Sequence, residues 1–142
     1  IYGIRQYPEK LIPRCIISLL RGSKIPIHGD GKNIRYFLSA IDFANAILLL
    51  SKKVNSGVYN VGSKNYFSNN QIVSLICEAM NMDKKKYLKY VNDRPYNDKR
   101  YSVSSQKIIK LGWKQENTLI RDLPEIINWY RNNIKLYKKI IW

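Results

Sequence analysis

The sequence predicts an α/β fold of short mixed strands and amphipathic helices, and three observations carry that prediction. Apolar residues recur at i, i+3, i+4 and i+7 in several stretches, the period of a helix with one buried face. Between them lie brief β-branched or aromatic runs bounded by Gly, Asn, Asp and Pro, as short strands are. No internal repeat or low-complexity linker interrupts the pattern. With 142 residues, 45% of them hydrophobic, the chain can bury a core and is too apolar for a disordered tail. Its longest apolar run is far short of the ~20 residues a membrane-spanning helix needs. No charged leader with a cleavage site opens it. A soluble, cytoplasmic protein is expected.

The elements follow in order. From Pro8 to about Leu20, Ile12, Cys15, Ile16 and Leu19 form an apolar stripe. Pro8 and Glu9 suit the first turn, Gly22 lies just past the end, and Pro13 should kink the helix. Ile25 to His28 is a short extended piece leading into the turn Gly29-Asp30-Gly31, and Ile34 to Leu38 is the next strand. A second helix is expected from about Asp42 to Ser51, with Phe43, Ala46, Ile47 and Leu50 on one face and Asp42 at its N-terminus. Val58 to Gly62 reads as a brief strand. Ser68 followed by Gln71 is a capping box opening a helix with Ile72, Leu75, Ile76 and Ala79 inward. Tyr87 to Val91 is extended, and residues 92–98 form a polar loop. Helices at Ser104–Leu111 and about Asp122–Asn133 close the chain, the last burying Leu123, Ile126, Ile127 and Tyr130.

Lys and Arg number 25 against 10 Asp and Glu, a formal net charge of +15. Such a balance raises a nucleic acid, an anionic membrane or a phosphorylated ligand as partner. The distribution speaks for composition instead. There are 17 Lys and only 8 Arg, and the lysines are scattered near expected helix ends and loops. Ile, Lys, Asn and Tyr, whose codons are rich in A and T, supply 62 residues. A phosphate-binding stripe is richer in Arg and more concentrated. Cys15 and Cys77 lie in apolar helical patterns with no CxxC or Cys/His spacing, so buried free thiols are expected and a zinc site is not.

The sole histidine, His28, has no sequence-evident partner for a catalytic triad, and a structural role is the simpler reading. Gly29-Asp30-Gly31 lacks GxGxxG and the GK[ST] of a P-loop, which favours a tight turn between two strands. The arginines say more. Arg35 follows the glycine turn, while Arg94 and Arg100 flank Pro95-Tyr96-Asn97-Asp98. A guanidinium fork binds two phosphate oxygens at once and stays charged at any relevant pH. The structural alternative is an ion pair of each Arg with Asp42, Asp93 or Asp98.

Five segments then stand in a known order. Tyr2-Gly3 with Gln6 to Pro13 resembles "YGP…(F/Y)PEKLIP", and Pro26 to Gly31 with Asn33-Ile34-Arg35 resembles "P-(I/V)-(Y/H)-G-x-G-x-x-(I/V)-R". Val58 to Gly62 is similar to "YN(I/V)G", and Asp93 to Tyr101 to "(D/N)RPxNDxRY". Leu111-Gly112-Trp113 and Trp129-Tyr130 together close the series as its fifth member. Together they resemble the C-terminal part of the nucleotide-sugar 4,6-dehydratases, within the extended short-chain dehydrogenase/reductase group. The "HGDG" and "RPxND" forms are similar to those of the eukaryotic-type dTDP-glucose and UDP-glucose enzymes.

The resemblance implies an NAD-dependent lyase. NAD takes a hydride from sugar C4, water leaves across C5–C6, and the hydride returns to C6, giving a 4-keto-6-deoxy sugar for deoxysugar synthesis of the rhamnose type. It also implies that residues 1–142 are the nucleotide-sugar-binding region, with short stretches that would complete a Rossmann domain missing from this chain. The family's GxxGxxG and YxxxK are not in the sequence, and the chain opens at Ile1 rather than Met, so a preceding catalytic half holding NAD is expected. No catalytic residue is expected here. Carried onto this sequence, Arg35 and Arg94 clamp the diphosphate, Lys10, Leu11 and Ile12 line the sugar–phosphate cleft, and Pro26, Ile27 and His28 border the base. Asn69 reaches the nucleotide, Asn97 replaces a bacterial-type His, and Asp93 and Arg100 shape the loop. The family further implies a homodimer through the absent domain, with no nucleic acid or membrane as partner. Ile4, Tyr36 and Pro124 depart from its pattern. Alternatives are an epimerase or decarboxylase of the same group, or a basic nucleic-acid-binding module. UDP and dTDP are not told apart.

Overall fold

Three helices meet on one core because each presents an unbroken apolar stripe. The computed structural model describes residues 1–138 apart from Asn55, Arg94, Asn97 and Tyr101. Among them α1 (Leu11–Leu20) buries Ile12, Ile16, Ile17 and Leu19, α3 (Asn69–Ala79) buries Ile72, Val73 and Ile76, and α6 (Leu119–Asn132) buries Leu123, Ile126, Ile127 and Tyr130. Ile25 and Ile27 of β1 (Ile25–His28) and Tyr2 complete the cluster. Each such side chain withdrawn from water contributes about 1.5–3 kcal/mol. A smaller core gathers Leu38, Ala46, Ile108 and Trp113 around α2 (Ala40–Lys53) and α5 (Gln106–Ile109). Cys15 and Cys77 are buried free thiols, as expected.

The strands are short and mixed. β1 pairs in parallel with β4 (Leu88–Val91), which follows the one-turn helix α4 (Lys84–Tyr87). β2 (Ile34–Tyr36) pairs antiparallel with β3 (Tyr66–Ser68), setting Arg35 opposite Phe67 and Tyr36 opposite Tyr66. β1 and β2 therefore lie in different sheets, and Gly29-Asp30-Gly31 is a connection between sheets rather than a hairpin turn. Val58–Gly62 is not a strand either. The Gly62 N–H donates to Ser105 Oγ at 2.6 Å instead of to a ladder partner.

Helix ends account for the other differences from expectation. α1 starts at Leu11, and Pro13 sits in its first turn, where the missing N–H has no intrahelical partner to lose. α1 ends as read: Gly22 adopts φ 68°, and the N–H groups of Gly22 and Ser23 reach the Leu19 and Ser18 carbonyls at 3.0 and 2.8 Å. α2 is capped by Ser39, whose side chain accepts from the Ile41 N–H, so Asp42 lies inside the first turn. Ile47 is 53% exposed and leaves only Ala46 fully buried on the expected stripe. In α3, Val73 and Cys77 take the inward place expected of Ala79. α6 begins at Leu119, earlier than the apolar period alone indicated, and a 3₁₀ turn, Ile134–Tyr137, follows it. Among the described residues no helix is long and apolar enough to cross a membrane.

Candidate functional site

The site is built from a turn, a strand edge and a helix start. Gly29 and Gly31 hold φ 60° and 69°, a region closed to most side chains. A Cβ on Gly29 would stand 2.8 Å from Asp93 Oδ2, and one on Gly31 would collide with the Asn70 carboxamide. Asp30 Oδ1 accepts the Lys32 N–H at 2.9 Å, and that bond is first among the causes holding its carboxyl below the usual carboxylate value. Asn70 closes the turn from outside. Its Nδ2 donates to the Asp30 carbonyl at 2.8 Å, and its N–H to the Gly31 carbonyl at 3.0 Å.

Arg35 lies on β2 beside this turn. Its Nη1 donates to the carbonyls of Ile34 at 2.8 Å and Asp98 at 2.7 Å. Asn33 Nδ2 also reaches the Asp98 carbonyl at 3.2 Å, while the Asn33 carbonyl accepts the Asn69 N–H at 3.2 Å. One run of hydrogen bonds thus brings the glycine turn, Arg35, the start of α3 and residues 98–100 together. Asp98 serves Arg35 through its main chain. Asp42 is committed elsewhere: fully buried, it accepts from Glu116 N at 3.2 Å, Asn117 N at 3.0 Å and Asn117 Nδ2 at 2.8 Å.

The other expected residues fall in two groups. Pro26 and His28 alternate with the buried Ile25 and Ile27 along β1, so they face away from the core. His28 Nδ1 lies 3.1 Å from the Asn92 carbonyl, an acceptor only, which places the ring proton on Nδ1. Ile27 and Ile12 are 1% and 2% exposed, so their side chains belong to the core and only their main chain is available to a ligand. Lys10 is exposed at the N-cap of α1, with Leu11 half-buried behind it. That helix start has neither a side-chain cap nor a first-turn carboxylate, so no acidic group within its own first turn meets the positive end of its dipole. Asn69 opens α3 beside the capping Ser68. Arg94 and Asn97 lie outside the described residues.

A cleft of about 540 Å³ runs between the turn and the returning segment, lined by Asp30, Lys32, Asn33, Ile34, Asp93, Lys99 and Arg100. A cavity of about 630 Å³ lies elsewhere, between residues 62–65 and 113–118. Its polar groups are occupied with one another: Gln115 bonds to Ser63, Lys64 N and the Asn117 carbonyl, and Asn65 to that same carbonyl. The smaller, charged cleft is the candidate site. Among the described residues no group of His, Cys, Asp and Glu could hold a metal ion. Asn33 and Asn70, which tie the parts of the site together, were not singled out by sequence reasoning. The one local signal for Asn70 was its place inside the Ser68–Gln71 capping box.

Residues 1–125 match the family described as GDP-mannose 4,6 dehydratase. The chain belongs to that family. As a member of this dehydratase family it is 42% identical over 134 residues to the trifunctional UDP-glucose 4,6-dehydratase/UDP-4-keto-6-deoxy-D-glucose 3,5-epimerase/UDP-4-keto-L-rhamnose-reductase of Arabidopsis thaliana, covering 94% of this chain and 20% of that protein. It is 38% identical over 146 residues to the human dTDP-D-glucose 4,6-dehydratase, covering 99% of this chain and 42% of that one. The dTDP-glucose 4,6-dehydratase of Streptomyces venezuelae, solved with NAD and TYD bound, superposes with a TM-score of 0.91 at 30% identity, over 96% of this chain and 43% of that chain. The described fold is that of the C-terminal part of these dehydratases, and the chain spans less than half the length of each relative named.

Proposed function

We propose that this chain is the nucleotide-sugar-binding part of an NAD-dependent dTDP- or UDP-glucose 4,6-dehydratase, a lyase making the 4-keto-6-deoxy sugar nucleotide. The observation that carries this is the hydrogen-bonded meeting of Arg35, the Gly29–Gly31 turn and the start of α3 beside a charged cleft that Asp30, Asn33 and Ile34 line, in a chain 38–42% identical to dehydratases of dTDP- and UDP-glucose.

The chain's own part is to bind and orient. Arg35 and Arg94 meet the diphosphate, where charge-assisted, forked hydrogen bonds favour a guanidinium over an ammonium. Lys10 and the uncapped main chain at Leu11 and Ile12 face the sugar–phosphate, because a helix N-terminus favours negative charge. Pro26 and His28, with the Ile27 main chain between them, border the base, and Asn69 and Asn97 complete the contacts. NAD does not fit the residues present: none of the glycines builds a GxxGxxG turn between a strand and a helix. Its place is in the part of the relatives' length outside this chain. A cytoplasmic homodimer, pairing outside this chain and with no nucleic-acid or membrane partner, completes the reading.

Arg35→Ala and Arg94→Ala in the full-length protein should each weaken binding of UDP-glucose or dTDP-glucose by about 1.5–3 kcal/mol, the range for charged hydrogen bonds. Titration calorimetry checks this. Unchanged affinity in both variants would sink the clamp.

A further inference from the structure

Arg100 lines the cleft and carries none of the ligand roles above. Its Nε donates to the Tyr36 hydroxyl at 3.0 Å, and its Nη2 donates to the same oxygen. Its Cζ lies 5.5 Å from the centre of the Tyr36 ring and 5.7 Å from that of Tyr66. Those rings stand 5.6 Å apart because the two tyrosines oppose one another across β2 and β3. A planar cation held against two aromatic rings and bonded to a phenol oxygen stays in place even when exposed.

What Arg100 holds is the main chain just before it. The Ile34 N–H donates to the Lys99 carbonyl at 2.9 Å, so residues 98–100 run along β2. The Asp98 carbonyl is thereby presented to Arg35 Nη1 at 2.7 Å, while the Ile34 carbonyl accepts from the same nitrogen at 2.8 Å. Nη1 carries two hydrogens. Both go to main-chain oxygens, which constrains the plane of the Arg35 guanidinium.

We propose that Arg100, clasped by Tyr36 and Tyr66, is a positioning residue that holds the Asp98 carbonyl and so aims Arg35 at a nucleoside diphosphate. The assignment rests on reading Arg35 as a diphosphate ligand. Its benefit is preorganisation: a long side chain fixed before the ligand arrives loses less freedom on binding.

The test is a double-mutant cycle in the full-length protein, with UDP and dTDP as probes. Arg100→Ala should lower affinity about three- to tenfold, the range for one side chain left to be ordered on binding. Tyr36→Phe, which keeps the ring and removes the acceptor, should act in the same direction by less, and decides the matter should Arg100→Ala not fold. The double variant Arg35→Ala/Arg100→Ala should bind no more weakly than Arg35→Ala alone, because a residue acting through Arg35 has nothing left to aim. Wild-type affinity in Arg100→Ala, or losses that multiply in the double variant, overturns the assignment. If the unaltered protein binds neither nucleotide, the diphosphate reading fails and this assignment falls with it. That outcome is distinct from tight wild-type binding with a neutral Arg100→Ala.

Discussion

Asp42 shows how one carboxylate can join distant parts of a chain. It lies in the first turn of α2, and its two oxygens take three donors from Glu116 and Asn117, more than seventy residues further on. The Trp113 indole N–H meets the Asp42 carbonyl at 3.1 Å, so side chain and main chain of one residue pin the same returning loop. Asp42→Ala would strand two main-chain N–H groups without an acceptor. It should cost about 3 kcal/mol, at the upper end for hydrogen bonds to a charged group, read as a fall in the urea midpoint at unchanged slope. The place of Asp42 at a helix start was legible because carboxylates are enriched there. Its burial was not legible, since the partners that make burial tolerable come from a loop with no periodic signal. Arg35 was legible as a chemistry-bearing residue, whereas its bond to the Asp98 carbonyl depends on a non-local approach of two segments.

Among elements, the helices were the most readable, because the stripe of α1 or α6 is a local pattern that any buried helix must carry. Strands need a partner before they are strands. Val58–Gly62 has the composition of one, yet Gly62 is taken by Ser105. Ile25–His28 was read to the residue, but its parallel pairing with β4 crosses more than sixty residues and left no trace in the local sequence. The Ser68–Gln71 box is the opposite case, a signal written in four residues and formed as written: Ser68 Oγ accepts the Gln71 N–H at 3.2 Å and Gln71 Oε1 accepts the Ser68 N–H at 2.7 Å. Ser68→Ala should destabilise by about 1 kcal/mol, measured by thermal melting. Because α3 also sets Asn70 on the glycine turn and Asn69 on Asn33, the proposed function adds a second expectation: the same change slightly weakens nucleotide binding in the full-length protein. A melt unchanged by Ser68→Ala would contradict the cap.

At the scale of the molecule, the ionisable groups most clearly displaced from their ordinary values among the described residues are wholly or partly buried phenols and thiols, despite the +15 charge. Tyr2, Tyr130 and Tyr137 are all raised above 10.0, and Cys15 and Cys77 above 9.0, in each case first by removal from water. For Tyr2 the hydrogen bond to Asp122 adds to the effect. An acid whose folded pKa is raised keeps its proton in the native state at a pH where the unfolded chain has lost it. The unfolded chain then binds fewer protons, and stability falls as pH rises. The loss should begin above pH 9.0, the ordinary thiol value, and steepen past 10.0 as the tyrosines join. Denaturation midpoints measured from pH 8 upward should decline, and a flat profile across that window would refute it. Net charge, legible at a glance, says little about this behaviour, which depends on which few groups the core encloses.

The bond from the Tyr2 hydroxyl to Asp122 Oδ2, 2.6 Å long, spans 120 positions in the chain, and the Tyr130 hydroxyl reaches back to the Gln6 carbonyl at 2.9 Å. During synthesis the residues around Tyr2 emerge long before either partner exists. At ribosomal rates of about 5–20 residues per second, they wait several seconds with their place in the core unfilled. α6 is therefore the piece that closes the fold over the residues around Tyr2, and until it leaves the ribosome this core stays open.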